Sequence, residues 1–536
     1  MKAAFAAALL LLTVTAYFLG LGSYDLLDPD EGRYSEIPRE MLESGDFITP
    51  RLNYVKYFEK PVLHYWLTAL PLGMGLPAEF ASRLWPVLFA LGGAGVAALF
   101  WGRCGLYTAA ILSSSLLWFG VARMNITDMT VTFFITLSMA AWFRAFDGGA
   151  DKKPALAPLL VFYAGMAMAT LSKGLIGVVI PGGIIFWYSI LTWRPRLMWR
   201  TLSWSGAALF AVLTVPWFWA VCRANPDFFY FFFVQEHFLR YATSMHGRWQ
   251  PVWFFVPILV LGFVPWAGLL PGALADLIRE RDDRHVFLGV WFAVPFLFFS
   301  LSSSKLVPYI APCMPPLAIL CGHALSLMEE RQDVKKIRRF AAINGAVLML
   351  LAAAALLYPL FERRIPAGTL YAYTIPAALT LTLLAAVGAA SSLNPKRVFK
   401  IMCVIALVNA MVFGRGFVLK SEQDSRKGLA GVILEAERPG DVVVAYGDLM
   451  QSLGFYLKRR VVLADALGEL EFGAAQEAPD ERARWFIGGD GLKNLWNGEE
   501  RVFLVAETGN LPRLRALLGD WVELASTDKN ALVSNR

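Results

Sequence analysis

The stretch AAFAAALLLLTVTAYFLGLGSYDLLDPDEGRYSEIPRE, residues 3–40, decides the fold. Its first half, to Gly22, is apolar and about as long as the ~20 residues that cross a bilayer as one helix. Met1-Lys2 ahead of it looks like the start of a cleaved signal peptide. No A-x-A site follows, so a retained first helix is expected. The second half brings Asp30, Glu31 and Arg33 close to the helix end. Charges held at headgroup level are costly unless they have a use. The stretch therefore reads as a membrane helix that delivers a chemical site to one face of a bilayer, in preference to a merely solvated loop.

The rest of the chain agrees. Of 536 residues, 57% are hydrophobic, 14% aromatic and only 17% charged, against about 25% charged in soluble domains. Further apolar stretches recur at 81–101, 105–122, 129–146, 156–172, 174–192, 201–221, 252–272, 286–302, 306–327, 340–359, 370–391 and 399–417. Backbone polar groups cannot be left open in hydrocarbon, so these are expected to be helices, about thirteen with the first. One alternating set of short loops carries most of the cations, including Arg194, Arg196 and Arg200, and Lys335, Lys336, Arg338 and Arg339. By the positive-inside rule that set is cytoplasmic, the N-terminus lies inside and the C-terminus outside. The net charge of +7 is spread over such clusters, so no nucleic-acid partner is expected. The five cysteines form no C-x-x-C pair or framework spacing, which excludes a disulfide scaffold and a Cys-based zinc site.

Two outer-face loops are long. Residues 23–80 interleave charges with Tyr54, Tyr57, Phe58, Tyr65 and Trp66, and residues 222–251 contain the aromatic run Phe228–Phe233. Such interleaving is typical of helices lying at the membrane interface. Beyond about residue 420 the composition turns soluble. RPGDVVVAYGD, RRVVLADA, RARWFIGG and ERVFLVAETG read as short buried strands with helical segments between them. The expected fold is thus a polytopic α-helical membrane domain, residues 1–420, followed by a small α/β soluble domain, residues 421–536, on the outer face.

The first outer loop, DPDEGRYSEIPREMLESGDFITPRLNYVKYFEKPVLHYWLTAL, resembles the first periplasmic loop of the aminoarabinose (4-amino-4-deoxy-L-arabinose) transferases that modify lipid A. These belong to the C-type (GT-C) integral-membrane glycosyltransferases, which include the protein O-mannosyltransferases. The Asp-Glu pair after the first span is shared across that group. The extension through RYSEIPREML and YFEKP is more particular to the aminoarabinose branch. SKG at 172–174, QEHFLRY at 235–241 and SSSKLVPYIAPCMPP at 302–316 extend the resemblance over most of the membrane region. The resemblance implies that Asp30 and Asp128 are catalytic carboxylates. It also implies that Arg33, Tyr57, Lys60, Arg240, Lys173, Lys305 and Tyr309 surround the carrier phosphate, and that Glu59 and His237 hold a divalent metal ion. No nucleotide or organic cofactor is expected.

The implied partners are an undecaprenyl-phosphate-linked sugar, lipid A or another envelope acceptor, and membrane lipid, with the active site on the periplasmic side of the inner membrane. Such a donor is already activated, because its leaving group is a phosphate of low pKa. It needs no general acid, unlike a glycoside with its two-carboxylate machinery. It needs fixed positive charge on the developing phosphate, which Arg33 and Lys60 supply. It also needs a carboxylate to orient or deprotonate the acceptor, for which Asp30 is the natural choice. Attack opposite the phosphate inverts the anomeric centre. Two alternatives stay open: the same fold and carrier serving protein hydroxyls or another glycan, and a lipid-linked sugar transporter or flippase. A transporter usually places its ionisable groups near the midplane on broken helices, whereas here they cluster at helix ends on one face.

Overall fold

The computed structural model describes residues 2–147, 149, 152–239, 249–362, 367–392 and 397–536, with the side chains of 2, 3, 236–239 and 391 outside that description. Each apolar stretch read from the sequence lies on a helix or on two helices bent against each other. Among the described residues, eight helices are long and apolar enough to cross a membrane, or up to ten if each bent pair is one span. Ala4–Phe18 and Ile176–Leu191 are shorter apolar helices. The chain divides into two units: Met1–Leu19 with Trp85–Gly414, and Gly20–Leu84 with Arg415–Arg536. The first outer loop thus groups with the C-terminal segment.

The first unit is helical. The stretch 105–122 and the stretch 252–272, each read as one span, are bent. Gly102–Ser114 meets Leu116–Ala122 at 63°, and Val252–Gly262 meets Ala267–Arg279 at 113°. The two breaks satisfy each other. Leu116 donates its backbone N–H to the Val264 carbonyl at 3.1 Å, and the Trp266 indole donates to the Ser114 hydroxyl at 2.9 Å. Backbone freed inside an apolar body is tolerated where protein groups re-satisfy it in this way. Leu156–Lys173 packs closely on Thr127–Ala145 because residue 165 is glycine: a Cβ there would lie 2.3 Å from the Ser138 hydroxyl. Small residues set such close helix approaches in membranes. At the end of the first helix, one nitrogen of Arg123 donates to the carbonyls of Ala16, Tyr17 and Leu19, at 3.0–3.1 Å. These are carbonyls that a helix end leaves without intrahelical partners.

The second unit is built on a six-stranded sheet. Its strand order is Phe486–Ile487, Val462–Ala464, Val442–Tyr446, Val502–Glu507, Asn530–Ser534, Val522–Ser526. The first four are parallel and the last two antiparallel to their neighbours. Val444, Val462, Leu504, Trp496, Leu514 and Val533 form the core of this unit. The first outer loop contributes the helices Asp30–Ser44 and Leu63–Gly73 and a hairpin, Arg51–Leu52 with Val55–Lys56. The hairpin turns on Asn53 and Tyr54, both at positive φ, as a two-residue loop of this kind requires. The Asn53 side chain pairs with the backbone N–H and carbonyl of Val461, both at 2.9 Å.

Candidate active site

Asp30 and Glu31 occupy the first turn of the helix Asp30–Ser44, where carboxylates are favoured by the helix dipole. The two point to different tasks. Glu31 accepts from Arg83 at 2.8 and 2.7 Å, and both side chains are 0% exposed. Arg83 also donates to the carbonyls of Leu21, Tyr24 and Asp25, at 2.7–3.0 Å. One guanidinium therefore fastens the chain where it leaves the first helix. Asp30 is 39% exposed and touches Arg33 through one nitrogen, NH1, at 3.1 Å. Of the two acids, Asp30 is the one with access to a substrate.

Arg33 is buried and makes one contact through each of its three nitrogens. Its Nε and NH2 grip the carboxylate of Glu469, at 3.1 and 2.6 Å. Tyr57, also buried, donates its hydroxyl to the same carboxylate at 3.3 Å, and the Gln451 amide nitrogen donates at 2.8 Å. Burial opposes the Arg33 charge, but the oxygens of Tyr57, Glu469, Tyr34 and Asp30 outweigh it and hold its pKa well above the ordinary value. Burial raises the Glu469 carboxyl, with Arg33 pulling the other way. Burial also keeps the Tyr57 phenol well above its usual pKa, so it remains a donor. Lys60 donates to the Glu59 carbonyl at 2.9 Å, with its ammonium 3.9 Å from the Glu59 carboxylate.

Beside this group, Gly32 lets the helix Asp30–Ser44 lie against Gln451–Leu457. A Cβ at residue 32 would be 2.2 Å from Asp28 Oδ1 and 2.6 Å from the backbone nitrogen of Ser452. Asp28 accepts from the Ser452 N–H at 2.8 Å and from its hydroxyl at 2.6 Å, and lies 3.5 Å from Arg426. Burial pushes the Asp28 carboxyl up to about 6, against the pull of Arg426 and the Ser452 bonds.

The first unit holds a second group. Asp128 lies in the first turn of Thr127–Ala145, and Lys173 in the last turn of Leu156–Lys173. Each charge matches the dipole of its helix end. They meet at 2.6 Å, and the Lys173 ammonium sits 4.5 Å from the centre of the Tyr309 ring. Lys305 donates instead to the carbonyls of Gln250 and Ser302, at 2.8 and 2.6 Å. Burial lowers its pKa. Asp30, Arg33, Tyr57, Glu59 and Lys60 thus lie in one unit, and Asp128, Lys173, Lys305 and Tyr309 in the other. Arg240 and the side chain of His237 lie outside the described residues. Among the described residues, no group of three or more His, Cys, Asp or Glu side chains is arranged to hold a metal. Glu59 is therefore the described half of the metal pair implied by the resemblance. Sequence reasoning missed Glu469, Gln451 and Asp28. Glu469 sits in ADALGELEFG, which carries no motif, and its role comes from a partner 436 residues away.

The multi-pass helical fold is that of the C-type integral-membrane glycosyltransferases. The structure aligns over 100% of this chain and 99% of the other with the crystal structure of ArnT from Cupriavidus metallidurans bound to undecaprenyl phosphate, with a TM-score of 0.87 and 28% identity. An oligosaccharyltransferase from Archaeoglobus fulgidus, 12% identical with a TM-score of 0.54 over 96% of this chain and 70% of that one, shares the fold. Residues 3–232 match the family model for dolichyl-phosphate-mannose-protein mannosyltransferases, and residues 429–535 match that for the aminoarabinose transferase C-terminal domain. An undecaprenyl phosphate-α-4-amino-4-deoxy-L-arabinose arabinosyl transferase of Proteus mirabilis is 30% identical over 491 residues, 89% of this chain and 87% of the relative. A Pseudomonas aeruginosa enzyme of the same name is 36% identical over 356 residues, 64% of this chain and 63% of the relative. The chain belongs to the family of undecaprenyl phosphate-aminoarabinose arabinosyl transferases and is a multi-pass membrane glycosyltransferase.

Proposed function

We propose that this protein transfers 4-amino-4-deoxy-L-arabinose from undecaprenyl phosphate to lipid A or a related envelope glycolipid, at the periplasmic face of the inner membrane and with inversion. The observation that carries the reading is the Arg33–Tyr57 pair beside accessible Asp30, within a chain that matches such transferases over most of its length.

In this reading the phosphate of the carrier is met by Arg33 and Lys60, with Tyr57 holding Glu469 beside Arg33. Charge-assisted hydrogen bonds of this kind contribute about 1.5–3 kcal/mol each. They act on charge that grows on the phosphate as the glycosidic bond breaks, so they favour the transition state over the bound donor. Asp30, on the accessible side of Arg33, orients the acceptor or takes its proton. A phosphate acceptor is already anionic and needs orientation alone. A hydroxyl acceptor gains from a positioned base, a contribution of about 10²–10⁴ in rate. Asp128 with Lys173 forms a second acid–cation pair, within the helical unit. A cation held by Glu59 and His237 would add positive charge near the leaving group, and no step here is routed through it.

The match of residues 3–232 to the mannosyltransferase model supports a second reading, in which the acceptor is a protein hydroxyl. The test supplies purified protein with the carrier-linked sugar and, separately, lipid A or a serine- and threonine-rich peptide. Free undecaprenyl phosphate should be released stoichiometrically with lipid A of correspondingly increased mass. Release with the peptide alone would favour the second reading, and release with neither would reject both.

A further inference from the structure

We propose that Glu469 is a positioning residue for Arg33, setting which edge of the guanidinium is left for the reaction. The inference rests on the reading of Arg33 as a ligand of the carrier phosphate. An arginine in a site of this kind has two low-energy ways to meet a neighbouring carboxylate, side-on through Nε and NH2 or end-on through its two terminal nitrogens. Here Glu469 takes the side-on edge, at 3.1 and 2.6 Å, and leaves NH1 to Asp30 at 3.1 Å. With no Glu469, Asp30 would be the nearest anion for the guanidinium, three residues away on the same helix. Arg33 would then turn to take Asp30 with two donors, leaving fewer for the carrier phosphate. Glu469 keeps these two groups in single contact.

The carboxylate is itself held. A carboxylate offers about four lone-pair positions, and four donors fill them: Arg33 Nε and Gln451 on Oε1, Arg33 NH2 and Tyr57 on Oε2. No position is left over for a sugar amine or hydroxyl, so Glu469 acts through Arg33 rather than on substrate. The Gln451 amide can serve Glu469 in one orientation only, since the flipped amide would set oxygen against oxygen. Gln451 also begins the helix that packs on Gly32. The brace therefore reaches Arg33 from the C-terminal segment of the chain, on an element already fixed against the helix that carries Arg33 and Asp30.

The experiment is steady-state transfer by the full-length protein in detergent, with the donor and acceptor varied separately, for wild type, Glu469→Gln, Arg33→Lys and the double variant. Glu469→Gln should raise the donor KM or lower donor kcat/KM by about 10- to 100-fold, with acceptor KM unchanged. A contact that merely joins two parts of the fold would instead lower the amount of active protein and leave both KM values alone. In the Arg33→Lys background, where no side-on grip exists, Glu469→Gln should cost less than about threefold more. Glu469→Asp keeps the charge but withdraws the oxygens by one methylene. It should show the same donor-specific loss in reduced degree, and it replaces the Gln variant if that one does not fold. Wild-type donor kinetics in the variant used, or the same fold loss with and without Arg33, would overturn the proposal. Direct binding of undecaprenyl phosphate to Arg33→Lys tests the underlying reading separately. Unchanged binding there would reject the phosphate role of Arg33 while the coupling measurement still stands.

Discussion

Lys173 donates to Asp128 at 2.6 Å, joining the last turn of one membrane helix to the first turn of another. Both side chains are largely buried, at 8% and 12% exposure. Removing one partner of such a pair leaves an uncompensated charge, at a cost of about 3–5 kcal/mol. Lys173→Met and Asp128→Asn should each lower the melting temperature in detergent. The double variant should recover most of the loss, because two neutral groups can share the space. Turnover separates structure from chemistry. If the pair only holds the helices, the double variant regains activity with stability. If Asp128 takes part in transfer, stability returns in the double variant while turnover stays low.

Asp30 is expected to matter in a way that depends on the acceptor. Asp30→Asn keeps a partner for Arg33 NH1 and removes the charge. With a phosphate acceptor, turnover should fall by a factor that is flat with pH. With a hydroxyl acceptor, the loss should reach about 10²–10⁴, the contribution of a positioned base. Near-normal turnover by the variant on each acceptor would remove Asp30 from the mechanism.

Gly32→Ala should be among the most damaging small substitutions in the second unit. The new Cβ would meet Asp28 Oδ1 at 2.2 Å and backbone of Ser452 at 2.6 Å, so the two helices must part. Overpacking of this kind typically costs about 1–3 kcal/mol. The expected signs are a lower melting temperature and loss of transfer together. A variant as stable and active as wild type would show that the contact between residues 32 and 452 does not fix the site.

Stability should also respond to pH through Asp28. Its carboxyl is pushed from 3.8 to about 6 in the folded protein. A group with a raised folded pKa binds its proton more tightly when folded. Its contribution is full below about pH 4 and is lost as pH rises through about 6, a span of about 3 kcal/mol. Burial raises Glu36 and Glu40 in the same direction. The melting temperature should therefore fall between pH 4 and 6, and Asp28→Asn should flatten that slope. An unchanged slope in the variant would assign it to the other buried carboxyls.

Much of this was legible in the residues, for definite reasons. The spans announced themselves because a bilayer imposes length and apolarity on any crossing helix. Asp30 stood out because a charge beside a membrane helix demands a use. The bend at Ser115 escaped notice because nothing local marks it, and the one between Gly262 and Ala267 because its Gly262 and Pro265 sit inside an unbroken apolar run. At Ser115 the chain turns without a proline or glycine, and the N–H freed on the next residue, Leu116, is answered by Val264, far along the sequence. The last two strands, Val522–Ser526 and Asn530–Ser534, went unread because WVELASTDKNALVS alternates too weakly to stand out from a polar tail. Glu469 was invisible for a similar reason. An isolated glutamate in a soluble segment is ordinary until its partner is known, and the partner lies at the other end of the chain.

That separation has a consequence in time. Arg33 and Glu469 are 436 residues apart, and Asp28 and Ser452 are 424 apart. At synthesis rates of about 5–20 residues per second, the first loop emerges roughly 20–90 s before its brace exists. Throughout that interval the helix Asp30–Ser44 lacks the surface on which Gly32 rests. Assembly of this group is thus a late step of biogenesis, and a chain interrupted before residue 452 carries the loop without its brace. Chains ended at residue 420 should be clipped within residues 23–80 by an added protease under conditions in which the full-length protein resists.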